Sequence, residues 1–334
     1  MDIKNQVQDF CSTFQKIKAE IGKVIVGHED IVVGTLTAVV GGGHVLLEGV
    51  PGLGKTLLVR TLSDVLELSF NRIQFTPDLM PADILGTNLV VETPEGKREF
   101  QFQHGPIFAH LVLADEINRA TPKTQSAMLE AMQEKSVTAG GSIRKLDEPF
   151  FVLATQNPID QEGTYPLPEA QLDRFFFKLV VSYPTREDLL EVLTRTTEGH
   201  TAKVERVVNG EKLQSMQRLA RQVPVPSHVK DYVARLILAT HPKTTTASPM
   251  ANQFLRFGSS PRGAQTIIVA AKVRALIDGR TNVSFDDVTA VAVPALRHRL
   301  ILNFEADAEG ITSDVVIAAI LKDLPREAAS AVAA

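Results

Sequence analysis

Five short apolar runs mark the first half of the chain and alternate with segments of helical spacing. They are HVLLEGV (44–50), NRIQF (71–75), HLVLADE (110–116), FFVLATQ (150–156) and RFFFKLVV (174–181). Near-continuous apolarity, rather than strict alternation, is what strands buried on both faces require. The rhythm therefore predicts a parallel sheet covered by helices. Ligands of such sheets gather at the carboxyl ends of the strands. Two stretches break the rhythm and read as hairpins projecting from the core: NLVVETPEGKREFQFQ, with Pro94, Glu95 and Gly96 at its turn, and SVTAGGSIRKL, turning at Gly140 and Gly141.

After Tyr183 and Pro184 the strand signals stop and the rest of the chain reads as helical. Thr185 with Asp188, and Ser284 with Asp287, have the spacing of capping boxes that open apolar-periodic helices. Pro224, Pro226 and the HPKTTTASP stretch separate helices. The expected fold is an α/β parallel-sheet domain over residues 1–184, carrying the two hairpins, followed by a small all-α domain over 185–334. There is no internal repeat, and the only biased segment is an Ala-rich tail after Arg326.

At 334 residues the chain is long enough for two domains, and 44% hydrophobic with 22% charged residues is ordinary globular composition. A net charge of −4 argues against a partner held mainly by phosphate neutralisation, so nucleic acid is disfavoured. Cys11 is the single cysteine, which excludes an internal disulfide and a cysteine metal cluster and reads as a reduced intracellular thiol. MDIKNQVQDF carries no apolar leader core, and no run approaches 18 apolar residues. The expectation is a cytoplasmic protein without a transmembrane segment.

The chemistry begins at Gly49-Val50-Pro51-Gly52-Leu53-Gly54-Lys55-Thr56, a P-loop pattern lying directly between a strand and the apolar helix LLVRTLSDVLEL. Glycines let the backbone curl so that successive N–H groups and a helix N-terminus face phosphate oxygens. Contacts to ATP are expected through Gly52, Leu53, Gly54, Lys55, Thr56 and Leu57, with Lys55 bridging the terminal phosphates and the Thr56 hydroxyl holding Mg²⁺. A chance match in a chain of this length is roughly one in a hundred, and the strand-to-helix setting lowers that further; the alternative is a Gly-rich connecting turn.

Asp115 and Glu116 end the run HLVLAD, where adjacent carboxylates are costly unless a cation or a proton-transfer task occupies them. Asp115 is assigned to Mg²⁺, and Glu116 to orienting and polarising the attacking water; a solvated strand end is the alternative. Asn157, after FFVLATQ, would reach the same edge and position water or contact the γ-phosphate, against the plainer reading of an Asn-Pro turn.

Arg262 follows Ser260, which reads as an N-cap, and Pro261 as the first helical residue. A cation in the first turn opposes the helix dipole, which suggests compensation by bound phosphate, an ion-paired or solvated arginine being the alternative. Arg174 precedes the last strand and could leave the sheet edge toward a neighbouring subunit as a finger acting in trans, unless Asp173 merely pairs with it. No Asn-Lys-x-Asp signature accompanies Asp83-Ile84-Leu85-Gly86, so ATP is preferred to GTP. His28, His44, His104, His110, His228, His241 and His298 lack paired-ligand spacing.

The ordered set GVPGLGKT, LVLADEINRA, FFVLATQNP, LPEAQLDRF and SSPRGAQ, with VIVGHEDIV before it and PALRHRLILNF after it, closely resembles the MoxR family of AAA+ ATPases. The resemblance covers nearly the whole chain. It implies a nucleotide-binding AAA+ domain and a helical lid with ATP between them, usually in a hexameric ring. Lys55 and Thr56 look like Walker A, Asp115 and Glu116 like Walker B, Asn157 like sensor 1, Arg262 like sensor 2 and Arg174 like the trans finger. Val26 and Gly27 would lie near the adenine. The hairpins match insertions shared with magnesium chelatases, where they engage substrate or partner. The family further suggests a chaperone-like role that remodels or matures client proteins beside a separate von Willebrand factor A domain partner. A DNA motor and a non-hydrolysing ATP switch are the alternatives; TAGGSIRK, with only Arg144 and Lys145 and no aromatic, disfavours the first, and Glu116 the second.

Overall fold

The computed structural model describes residues 3–327 apart from 93, 95, 159–162 and 198–201. Glu95, read at a hairpin turn, and the tail beyond residue 327 lie outside the described residues. The elements run in order α1 (Ile3–Gly22), α2 (Glu29–Gly41), β1 (Val45–Glu48), α3 (Lys55–Val65), β2 (Phe70–Gln74), α4 (Pro81–Leu85), β3 (Gly86–Glu92), β4 (Arg98–His104) and β5 (Leu111–Asp115). Then come α5 (Pro122–Glu134), β6 (Ser136–Ala139), β7 (Ser142–Lys145), β8 (Phe151–Gln156), α6 (Glu169–Leu172), β9 (Phe177–Val180) and α7 (Arg186–Thr197). The remainder is α8 (Gly210–Gln222), α9 (Ser227–Ala239), α10 (Pro249–Phe254), β10 (Leu255–Phe257), α11 (Pro261–Ile277), α12 (Phe285–Leu296), β11 (Ile301–Leu302), α13 (Phe304–Glu309) and α14 (Ser313–Asp323).

The five apolar runs form one parallel sheet in the order β2-β5-β8-β1-β9. Successive side chains enter opposite layers, which is why the runs are apolar throughout. Val45, Leu47, Leu111, Leu113, Phe151 and Leu153 join the core under α1, α2 and α3, whereas Leu46, Val112, Ala114, Val152 and Ala154 meet Met128, Leu129 and Met132 of α5. Both hairpins form: β3 pairs antiparallel with β4, and β6 with β7 through Gly140 and Gly141, whose φ of 61° and 79° is the left-handed pair that a two-residue turn needs.

The connection after β9 carries Pro184, and Thr185 and Asp188 exchange the reciprocal bonds of a capping box at the start of α7, as do Ser284 and Asp287 at α12. The second half is helical as expected, with one addition: β10 and β11 make a small antiparallel ribbon. Strands of three and two residues are too short to show a period, so nothing in the sequence marks them. The helices after residue 184 share the core of α1–α3: buried side chains of α8, α9, α11 and α12 belong to the same cluster, and Cys11 Sγ donates to the Ile277 carbonyl at 3.1 Å. No helix of the described residues is long and apolar enough to cross a membrane.

His44, just before β1, is buried and ties the sheet to α5. Its Nδ1 accepts from the Val152 N–H at 3.0 Å and its Nε2 donates to the Met132 carbonyl at 2.9 Å. Only a neutral ring serves both partners, and burial pushes its pKa down to about 4. Below pH 6.5 the unfolded chain takes up a proton that folded His44 refuses until about pH 4. Stability is therefore full above that window and falls through it, by about 3 kcal/mol from this residue. Denaturant unfolding at pH 7, 6 and 5 is expected to show the decline. His44→Gln, whose amide offers an acceptor oxygen and a donor nitrogen, should make the decline shallower and leave the part that comes from buried His298, whose pKa burial also lowers; an unchanged slope would remove His44 as a source.

Candidate active site

The segment Gly49–Thr56 runs from the end of β1 into the first turn of α3 at the carboxyl edge of the sheet. Gly52 and Gly54 have φ of 86° and 74°, and open space stands where a Cβ of either would project. Gly54 is the N-cap of α3 and no side chain caps the helix, so its first N–H groups are left for an anion at the positive end of the dipole. These groups line a cavity of about 400 Å³, with Lys55, Thr56 and the half-exposed Leu57 on the same wall. Leu53 packs against the core instead. The Lys55 ammonium folds back onto the Gly49 carbonyl, and burial lowers its pKa against the opposing pull of Asp115, Glu116 and Glu48.

Asp115 and Glu116 face this loop across the cavity, joined by Asn157 from the end of β8. Asp115 is buried; it accepts from Thr155 Oγ1 at 2.5 Å and from Arg72 Nη2 and Nε at 2.6 and 3.1 Å. Glu116 leaves the strand with φ 56° and ψ 50°, a left-handed conformation that a non-glycine residue holds only when its surroundings enforce it. The enforcement is visible. Its N–H donates to Thr155 Oγ1 at 2.8 Å, and its carboxylate accepts from Gln74 Nε2 at 2.9 Å and Arg119 Nη1 at 3.0 Å. One threonine hydroxyl thus bridges the two acidic residues, and the cations Arg72 and Arg119 offset their mutual repulsion.

Arg72, Gln74 and Thr155 are the partners of the acidic pair that sequence reasoning missed. Their signal was their position in apolar runs already identified: β2 and β8 flank β5, with Gln74 opposite Asp115 and Ala154 opposite Ala114. The polar residues that end those runs therefore meet the acidic pair.

The cradle fits a nucleotide phosphate, and Thr56 and Asp115 supply the hard oxygen donors that Mg²⁺ prefers.

The arginines lie elsewhere. Phe176 N–H donates to the His44 carbonyl and Val181 N–H to the Glu48 carbonyl. Those levels are four residues apart on β1, about 13 Å of strand. Gly49 packs on Val181, and Arg174 lies upstream of Phe176, so the P-loop and Arg174 stand at opposite edges of the sheet. Arg174 Nη1 donates to the Leu129 carbonyl at 2.8 Å, while its buried Nε has no hydrogen-bond partner among the described residues. Arg262 stands in the first turn of α11, behind the Ser260 cap, and shares with Arg174 a second cavity of about 420 Å³. It pairs with Asp173 at 3.5 Å. Val26 and Gly27 lie on the turn before α2, where Gly27, with φ 65°, packs against the Asp188 carboxylate of α7 rather than lining the P-loop cavity.

Residues 44–177 match the ATPase family associated with various cellular activities (AAA), and residues 248–320 match the AAA lid domain. A Mycobacterium tuberculosis protein named chaperone MoxR1 is 43% identical over 311 residues, 93% of this chain and 81% of its own length. The uncharacterised protein YeaC of Bacillus subtilis is 42% identical over 94% of this chain and 95% of its own. A crystal structure from Cytophaga hutchinsonii, of a protein assigned as an ATPase, superposes with a TM-score of 0.89 at 40% identity, covering 96% of this chain and 97% of that one. With its parallel sheet, P-loop cavity and helical lid, the chain belongs to the MoxR family of AAA+ ATPases.

Proposed function

We propose that this chain binds Mg·ATP in the cavity at the carboxyl edge of the sheet and hydrolyses it as a ring oligomer, a hexamer by family resemblance. In this reading turnover remodels or matures client proteins in the cytoplasm, beside a separate von Willebrand factor A domain partner. The observation that carries it is the division of the chemistry. Lys55, Thr56, Asp115, Glu116 and Asn157 share one cavity, while Arg174 and Arg262 share another at the far edge. An arginine side chain is much shorter than that separation. The cations can serve a nucleotide only on a second copy.

The α3 N-terminus and Lys55 hold the phosphates, and Thr56 and Asp115 hold Mg²⁺, which when bound neutralises phosphate charge. Glu116 orients and polarises the attacking water, with Gln74 and Arg119 fixing its carboxylate. Asn157 presents its amide to the same space, and Val26 and Gly27 are the proposed neighbours of the adenine. The exposed Val90 and Phe100 stand opposite each other on the β3–β4 hairpin, an apolar pair that suits a protein client. Arg144 stacks on Phe102, 3.6 Å from its ring centre, so this cation already has an aromatic partner within the chain.

Steady-state ATP hydrolysis per chain is expected to climb with protein concentration as the ring assembles. Glu116→Gln should lower kcat about 100-fold or more while retaining ATP binding, and Arg174→Ala should abolish the rise. Equal turnover per chain in isolated monomers would sink the ring mechanism. Thr155→Val keeps the side-chain volume but removes the hydroxyl between Asp115 and Glu116. Leaving those groups unbridged costs about 1–3 kcal/mol, so kcat should fall roughly 10-fold; full activity would show that the bridge is dispensable.

A further inference from the structure

Asp173 stands beside Arg174 in the chain, yet its carboxylate meets residues of the helical half. Both carboxylate oxygens accept from Ser260 Oγ at 2.9 Å, and Oδ1 also accepts from Arg299 Nε at 2.9 Å. Arg262 Nη1 approaches Oδ2 at 3.5 Å. The Ser260 hydroxyl in turn accepts from the Arg262 N–H at 3.1 Å, so one short chain of bonds runs from Asp173 to the backbone of Arg262.

Arg299 is buried and grips the same corner through its main chain. Its Nη2 donates to the carbonyls of Asp173 at 3.0 Å and Phe175 at 2.7 Å, and His298 Nε2 meets the Phe175 carbonyl at 3.0 Å. Burial lowers the Arg299 pKa and the Asp173 charge opposes that shift, so the guanidinium depends on the carboxylate it holds. Arg174 is thus clamped on both flanks by residues that follow α12, while Arg262 hangs from the same carboxylate. Arg262 nonetheless keeps a side chain 46% exposed, beside Arg174 on the second cavity.

We infer that Asp173 is a positioning residue that sets Arg174 and Arg262 as one unit toward the nucleotide bound by a second copy of this chain. This rests on the reading that both arginines act in trans. Arg174 belongs to the sheet half and Arg262 to the helical half, so any relative movement of the two would separate the cations. A single carboxylate that neighbours one arginine and pairs with the other removes that freedom. Its effect on turnover is large because a misplacement of about 1 Å can cost 100-fold in rate. The carboxylate also gives Arg262 a resting partner that a phosphate can displace, since 3.5 Å is longer than a close ion pair.

The test is complementation between full-length variants. Asp173→Asn keeps the shape and one acceptor oxygen but removes the charge. Its own P-loop should bind ATP as the parent does, while kcat at concentrations that saturate assembly falls about 10-fold or more with KM little changed. Mixing it with Lys55→Ala, which lacks the P-loop lysine but keeps Asp173, Arg174 and Arg262, should restore turnover. Mixed rings then pair intact P-loops with intact arginines, a rescue that a purely structural role for Asp173 within its own chain would not give.

If Lys55→Ala rescues Arg174→Ala but not Asp173→Asn, the inference is overturned and the trans reading survives. If it rescues neither, the trans reading falls and the inference with it. Should Asp173→Asn not fold, Ser260→Ala decides: a smaller loss of kcat that Lys55→Ala restores is expected, and unchanged kcat per assembled chain overturns the proposal.

Discussion

The pairing of β1 between β8 and β9 is the constraint on which the rest of this molecule depends. Parallel strands must begin and end at the same edges, so the loop after β1, the acidic pair after β5 and the amide after β8 arrive together at one edge. Leu46 and Leu47 of β1 are fully buried, one in each layer, and a buried parallel strand leaves no solvent face on which the register could slip. The same register sends Arg174 to the opposite edge, because β9 runs alongside β1. The P-loop cavity and the cavity that holds Arg174 and Arg262 are thereby separated by the geometry of one sheet.

Around the cavity, placing charge is the difficulty that the fold has to solve. Two consecutive carboxylates and a desolvated lysine would be unfavourable as isolated groups. Each has a partner: Arg72 on Asp115, Gln74 and Arg119 on Glu116, the Gly49 carbonyl on Lys55, and Thr155 between the two acids. The left-handed backbone of Glu116 belongs to the same solution, because it turns the carboxylate out of the strand direction and into the reach of Gln74.

The helical half is not an appendage. Its helices α8, α9, α11 and α12 continue the apolar core of α1–α3, and its polar residues Ser260, His298 and Arg299 bind the corner that precedes β9. A buried guanidinium with carbonyl and carboxylate partners is geometrically demanding, because each of its N–H groups needs an acceptor at a fixed direction. The position of α11, and so of Arg262, is tied to the sheet through that corner.

The sequence by itself determined what depends on neighbours along the chain. The five strands, both hairpins, the Ser260 and Ser284 caps, the P-loop and the acidic pair are all written in short-range patterns of size, charge and backbone freedom. The ribbon of β10 and β11 was too short to leave such a pattern. Only the tertiary structure decided which strands lie side by side, and therefore that Arg72, Gln74 and Thr155 surround Asp115 and Glu116. It also decided that Asp173 answers to Arg299, Ser260 and Arg262, residues 87 to 126 positions away, and that Arg262 shares a cavity with Arg174 and not with Lys55. The reason is physical: local preference fixes the conformation of a segment, whereas the meeting of distant segments follows from how their apolar faces are buried together.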